Sequence, residues 1–391
     1  MSKRVYFAPC GIGLGHAGRC VEVARRFPPE CEILFSTYSD AVEFVRAEGF
    51  KVLASPGFEY WTWPDGTVDP WRSLKWGAVK SLFTFRKQTE AEMRNLQKFK
   101  PDLVVSDMRL SSLVAAAMLG IPSLTILNQL FIQAPGFIHH NRIDVFARAF
   151  SLGLVSPLWR LSREILVPDF PPPQTICALN MQSPPSMRRK LTYTGPILPV
   201  KPDALLPAEA LKKKLGFNSD PLIYVALSGP RFERHWLAEK LLKHLHDFPP
   251  SYQFAFSRAQ RNGEAAPRRI GPVTVFDWLN ERFEMLKAAD VVVGRGSHAT
   301  LTQCLAYGKP MLLIPTPEQT EQISNAKSAV RIGVAKMLDQ RNISKERLIE
   351  NLQPLLDDEL YRRKALEMAE SASKTDAVGI INERIRAHLA Q

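Results

Sequence analysis

Gly11-Ile12-Gly13-Leu14-Gly15-His16 and Asp290-Val291-Val292-Val293-Gly294-Arg295-Gly296-Ser297-His298-Ala299-Thr300 are the two stretches whose reading decides the fold. The first follows the apolar run Val5-Tyr6-Phe7-Ala8, and the second carries its own run, Val291–Val293. Each reads as a buried strand, a glycine turn and the start of a helix. Such a junction offers unpaired backbone N–H groups and the positive end of a helix dipole to an anion. One junction in each half predicts two nucleotide-binding-type lobes facing a shared cleft. The length agrees, since 391 residues exceed what one ordinary core accommodates.

The same alternation extends outward from both turns. Short apolar runs at 5–8, 32–36, 51–54, 103–106 and 124–127 read as strands covered on both faces. Helix-like segments lie between them at 18–26, 40–48, 82–98 and 111–119. The second half restarts with strands at 222–227, 252–256, 273–276, 291–293 and 311–314. Its helices are expected at 234–244, 279–288, 299–307 and 320–332. Strand–helix alternation of this kind predicts an α/β protein with parallel sheets. Between the halves, Pro168, Pro171-Pro172-Pro173, Pro196, Pro199, Pro202 and Pro207 break regular structure and mark a linker.

Composition narrows the class. Hydrophobic content of 45% and charged content of 23% are those of a globular protein. The five scattered cysteines form no CxxC pair, so neither a zinc site nor a disulfide framework is expected, and a reducing, cytoplasmic compartment fits. The span 110–141 lacks Asp, Glu, Lys and Arg, but Gly120, Pro122, Pro135 and Gly136 interrupt it, so it is not expected to cross a bilayer. The net charge of +12 suits phosphates, on a nucleotide or on an anionic membrane surface. No nucleic-acid-binding motif accompanies it.

The first loop is the sharpest site. Gly11, Gly13 and Gly15 permit close approach of a ligand. Their spacing is GxGxG rather than the dinucleotide GxGxxG, and no acid closes the second strand, which disfavours hydride chemistry. His16 should stand at the sheet's C-terminal edge, where open α/β sheets bind ligands. An imidazole there can take a proton from a hydroxyl. Asp107, just after the fourth strand, either orients His16 or caps the helix beginning near Leu110. In the second loop, Ser297, Thr300 and the first helical turn are candidates to hold a diphosphate, with Arg295 adding charge and His298 facing phosphate or solvent. Ser228-Gly229 adds further phosphate contacts, Glu321 and Gln322 suit a polyhydroxyl ligand, and Trp278-Leu279 could wall a base pocket.

Together these features resemble the GT-B glycosyltransferases, especially glycosyltransferase family 28, the branch with the bacterial lipid-linked N-acetylglucosaminyltransferase of peptidoglycan synthesis. UDP-glucuronosyltransferase-like enzymes are more distant relatives. The resemblance implies two Rossmann-like domains facing a central cleft: an acceptor-binding domain over 1–196, a nucleotide-sugar-binding domain over 197–372, and a C-terminal helix at 373–391 that packs back. It implies His16 and Asp107 as the catalytic pair, with Gly11, Gly13 and Gly15 forming the acceptor-side loop. It places Gly294, Arg295, Gly296, Ser297, His298, Ala299, Thr300, Ser228 and Gly229 at the donor diphosphate. Trp278, Leu279, Gln303, Glu321 and Gln322 fall on the donor nucleoside and sugar. Gln303 stands where the family usually carries a ribose-binding glutamate, which weakens the assignment of UDP.

The implied reaction is inverting, metal-independent transfer from a nucleotide diphosphate sugar to a sugar or lipid-linked acceptor hydroxyl. The nucleotide sugar is a substrate, and no cofactor is needed. No DxD motif occurs, so no metal is expected. Trp61, Trp63, Trp71 and Trp76, with the apolar-basic stretch 129–165, are candidates for docking on the inner face of the cell membrane. A UDP-sugar 2-epimerase of the same fold and a nicotinamide-dependent oxidoreductase are the alternatives.

Overall fold

The computed structural model describes residues 3–58, 62–67, 69, 77–130, 156–183, 185–260, 263–264 and 266–390. Trp61, Trp71, Trp76 and residues 131–155 lie outside the described residues.

The first sheet contains β1 (Arg4–Pro9), β2 (Glu32–Thr37), β3 (Val52–Ala54), β4 (Leu103–Asp107), β5 (Ser123–Ile126), β6 (Glu164–Val167) and β7 (Leu191–Tyr193). All its pairings are parallel, in the order β3-β2-β1-β4-β5-β6-β7. Helices α1 (Gly15–Arg25), α2 (Asp40–Ala47), α3 (Gly77–Phe99) and α4 (Leu110–Met118) connect its first five strands. Parallel strands need such crossovers, and covering both faces explains why β4 reads Leu-Val-Val-Ser-Asp and is wholly buried.

The second sheet contains β8 (Leu222–Ala226), β9 (Gln253–Ser257), β10 (Arg268–Ile270), β11 (Val273–Phe276), β12 (Val291–Gly294), β13 (Met311–Leu313) and β14 (Ala335–Met337). Its order is β10-β11-β9-β8-β12-β13-β14. It departs from the all-parallel expectation at one edge, where β10 pairs antiparallel with β11. Its helices include α5 (Arg231–Leu245), α6 (Arg282–Ala288), α7 (His298–Ala306), α8 (Thr320–Ile332), α9 (Lys345–Asp357) and α10 (Glu359–Ser373).

The last helix, α11 (Ala377–Leu389), buries Val378, Ile381 and Ile385 in the core of the first lobe. Arg26 pairs with Asp376 and Asn382 Nδ2 donates to Val23 O, fixing that return. No described helix is long and apolar enough to cross a membrane.

In each sheet the strand order reverses beside the first strand. β1 lies between β2 and β4, and β8 lies between β9 and β12. Crevices at such switch points take ligands at the carboxyl ends of strands. The two glycine turns follow β1 and β12, so both open into one.

Candidate active site

The register of β1 against β4 sets Pro9 beside Asp107. It therefore brings the loop after β1 next to the end of β4. Gly11 is required there, because a Cβ at that position would lie 2.2 Å from Tyr38 O. The loop delivers His16 to the first turn of α1, with its side chain 20% exposed. His16 Nδ1 lies 2.8 Å from Asp107 Oδ1. With Nδ1–H donated to the carboxylate, Nε2 is left as the proton acceptor. Arg109, not Asp107, is the N-cap of α4, so of the two readings of Asp107 the structure brings about the pairing with His16.

Asp107 is fully buried and has a second partner that sequence reasoning missed. Arg19 clamps it through Nε and Nη2. Burial works against the charged carboxyl, but Arg19 and then His16 outweigh it and hold Asp107 below the usual carboxylate range. The carboxylate is thereby kept ionised, able to orient the imidazole without competing for its proton. The signal was present: Arg19 lies three residues beyond His16, on the same helix face.

Across the crevice, α7 begins at His298. Its N-cap, Ser297, does not cap it with a side-chain hydrogen bond. Ser297 Oγ instead lies 2.8 Å from Ser228 Oγ and donates to Thr300 Oγ1 at 3.1 Å. Three hydroxyls and an uncapped helix start thus share one spot, as an anion site requires. Gly296 is obligatory, since a Cβ there would lie 2.1 Å from Gln322 O. Gly229, with φ at +104°, lets the loop after β8 turn away beside it. The two helix starts meet: a Cβ built on Gly15 would stand 3.4 Å from the Ala299 Cβ.

Several expectations need correction. Arg295 does not face a diphosphate. It is completely buried, donating to Ile314 O at 3.3 Å, Glu233 O at 3.0 Å and Gln340 Oε1. It points inward from the end of β12 and ties the first turn of α5 to the segments that follow β13 and β14. His298 does not face phosphate or solvent either; it is buried, with Nε2 3.1 Å from Asp169 Oδ2 on the other lobe. Leu279 is a core residue, while neighbouring Trp278 is half-buried and donates Nε1–H to Asn280. Gly294 is the last residue of β12, its carbonyl accepting from Ile314 N. Gln322 is buried and its Oε1 accepts from Thr316 N, so only its amide N–H₂ group is left for a sugar. Gln303 donates Nε2 to Ile197 O at 3.3 Å and keeps its carbonyl for a ligand.

Asp169 accepts N–H bonds from Phe170, Ile176 and Cys177. Burial would raise its pKa, but His298 and these contacts hold it below the usual range. Asp169, Cys177 and His298 are the one group of potential metal ligands among the described residues, with donor atoms within 4.8 Å of one another. Three backbone N–H groups already occupy the carboxylate, and the site abuts the positive end of α7, which favours an anion over a cation. His298 and Asp169 thus face each other where the two lobes meet.

Comparison with known proteins agrees with this architecture. Residues 3–190 match the family model glycosyl transferase family 1, and residues 234–383 match the glycosyltransferase family 28 C-terminal domain. An uncharacterized glycosyltransferase of Methanosarcina acetivorans is 24% identical over 98% of this chain and 97% of its own length. UDP-N-acetylglucosamine--N-acetylmuramyl-(pentapeptide) pyrophosphoryl-undecaprenol N-acetylglucosamine transferase of Carboxydothermus hydrogenoformans is 26% identical over 95% of this chain and 93% of its own. Among solved structures, the spinosyn forosaminyltransferase SpnP superposes with a TM-score of 0.67 at 18% identity, covering both chains fully. MurG of Acinetobacter baumannii gives 0.61 at 16% identity, covering 98% of this chain and 99% of its own. These matches lend no support to the epimerase or oxidoreductase alternatives. By its fold and by the families matched along both lobes, the chain is a glycosyltransferase of the GT-B fold.

Proposed function

We propose that the enzyme transfers a sugar, with inversion, from a UDP-sugar to an acceptor hydroxyl. The observation that carries this reading is the meeting of His16 and the uncapped start of α7 across one crevice. An acceptor hydroxyl gives its proton to His16 Nε2 as its oxygen attacks the anomeric carbon from the face opposite the diphosphate. The anomeric C–O bond breaks, and its electron pair leaves on the diphosphate. The N–H groups of α7, with Ser228, Ser297 and Thr300, stabilise that charge. With Arg295 buried elsewhere, this anion site relies on the helix start and hydroxyls alone. Glu321 takes a donor hydroxyl, the Gln303 carbonyl a ribose hydroxyl, and Trp278 stands near the base. The reading needs no cofactor or metal.

Thermal shift against UDP-glucose, UDP-N-acetylglucosamine, UDP-glucuronate, dTDP-glucose, GDP-mannose and NADH tests it. At about 100 times Kd, the true donor adds about 2.7 kcal/mol of stability. A shift with NADH alone, or with none of these, refutes the reading, and a shift with only dTDP-glucose or GDP-mannose refutes its assignment of UDP.

For the acceptor we propose a lipid-linked hydroxyl presented at an anionic membrane surface, with the enzyme peripheral on its cytoplasmic face. Leu82 and Phe83, on α3, are 71% and 56% exposed. Lys80, Arg86 and Lys87 flank them, with Lys87 Nζ 4.5 Å from the Phe83 ring centroid and Arg86 paired to Glu90. Adjacent apolar and basic side chains suit a headgroup boundary. The relative from Carboxydothermus hydrogenoformans is named for an undecaprenol-linked acceptor. Leu82→Glu/Phe83→Glu should abolish co-sedimentation with phosphatidylglycerol vesicles at low salt. Equal sedimentation of variant and wild type removes this surface from the proposal.

A further inference from the structure

Asn128, which follows β5, is 1% exposed and stands between two charges of opposite kind. Arg19 Nη2 donates to Asn128 Oδ1 at 3.1 Å, and Asn128 Nδ2 donates to Glu321 Oε1 at 2.9 Å. A guanidinium only donates and a carboxylate only accepts, so the amide has one orientation. The result is a continuous chain from His16 through Asp107, Arg19 and Asn128 to Glu321, spanning the crevice from the acceptor side to the donor side. One helical turn beyond Glu321, Asn325 repeats the contact. It accepts from Asn180 Nδ2 of the first lobe at 3.1 Å and donates to Gly296 O at 3.0 Å. One face of α8 is thus held against the other lobe by two asparagines.

We infer that Asn128 is a positioning residue for the donor sugar, contributed by the lobe that binds the acceptor. The inference rests on the donor role of Glu321 proposed above. Asn128 occupies Oε1 and fixes the Glu321 carboxylate, leaving Oε2 without a hydrogen-bond partner among the described residues. Oε2 then takes a sugar hydroxyl in a charge-assisted bond. Because the amide comes from the opposite lobe, the carboxylate is set only when the lobes are together, and the same amide is anchored to the arginine that holds Asp107. Donor recognition and alignment of the base therefore share one element. Few other side chains of this size can serve. Leucine lacks both polar ends, and aspartate would turn a carboxylate oxygen toward Glu321.

The test measures calorimetric affinity for the nucleotide sugar giving the largest wild-type shift in the panel above, and for its bare nucleoside diphosphate. Asn128→Ala should weaken the nucleotide sugar about tenfold, the loss of one hydrogen bond to a charged group. It should leave the nucleoside diphosphate within about twofold, since the anion site on α7 is untouched. Asn128→Asp keeps the shape and the Arg19 contact, so it guards against failure of the alanine variant to fold, and it should weaken the sugar nucleotide more. Equal weakening of both ligands marks a merely structural residue and overturns the inference, as does no weakening of either. A wild type that binds nothing in the panel overturns the donor reading and this inference with it. A wild type that binds, beside variants with unchanged sugar selectivity, overturns this inference alone.

Discussion

Replacing His16 with alanine lowers the transfer rate by about 10²–10⁴-fold, the usual worth of a positioned general base, while donor affinity stays within about twofold. The two effects separate because the residue belongs to the acceptor side. Its ring is held by Asp107 at 2.8 Å, and the proposed donor contacts lie on the second lobe, on α7, α8 and the segments after β8 and β11. Initial-rate kinetics with saturating donor, next to calorimetric donor binding, check both halves. Transfer near the wild-type rate would remove the imidazole from the mechanism even though its geometry suits the role. A loss of donor binding as large as the loss of rate would move His16 from base to donor contact. Asp107→Asn is expected to fall short of the alanine effect: the amide is nearly the size of the carboxylate but cannot both accept from Nδ1–H and satisfy the Arg19 fork as an anion does.

The strands flanking the site could be read directly because each is a short apolar run covered on both faces. β1, β4, β8 and β12 fall within a residue or two of their expected bounds. β6 and β7 escaped. Glu164, at the start of β6, is satisfied by Arg384 from the last helix, by Thr192 and by His388, so its burial has no local signature. The edge strand β10, Arg-Arg-Ile, is exposed throughout and equally unmarked. At the site, sequence could name which junctions bind but not which way their side chains turn. Arg295 and Ser297 are two residues apart in one loop, yet the first is buried beneath the sheet edge and the second opens to the crevice. Side chains aimed across the crevice, such as His298 toward Asp169 and Asn128 toward Glu321, depend on how two lobes meet. No local pattern carries that information.

Arg19→Met should cost about 3–5 kcal/mol of stability at neutral pH, the usual cost of breaking a buried ion pair from one side. The guanidinium fills a buried position, and its removal leaves the Asp107 carboxylate, with no exposed surface, held by His16 and a long contact from Cys20 Sγ at 3.5 Å. The pH dependence gives the sign. In the wild type, burial opposes the charge but Arg19 outweighs it, so the folded carboxyl titrates below its unfolded value of about 3.9. That contribution is fully present above the unfolded pKa and is lost as pH falls through the lower folded one. In the variant the opposing cation is gone, burial prevails, and the folded pKa rises above the unfolded value. The carboxyl then destabilises the fold increasingly as pH rises through that range. The deficit against wild type should therefore be largest near pH 7 and shrink as pH is lowered toward about 4.5. Paired urea titrations at the two pH values measure it. A deficit that is constant with pH would mean that the methionine acts through packing alone, and that Arg19 is not what keeps the aspartate charged beside His16.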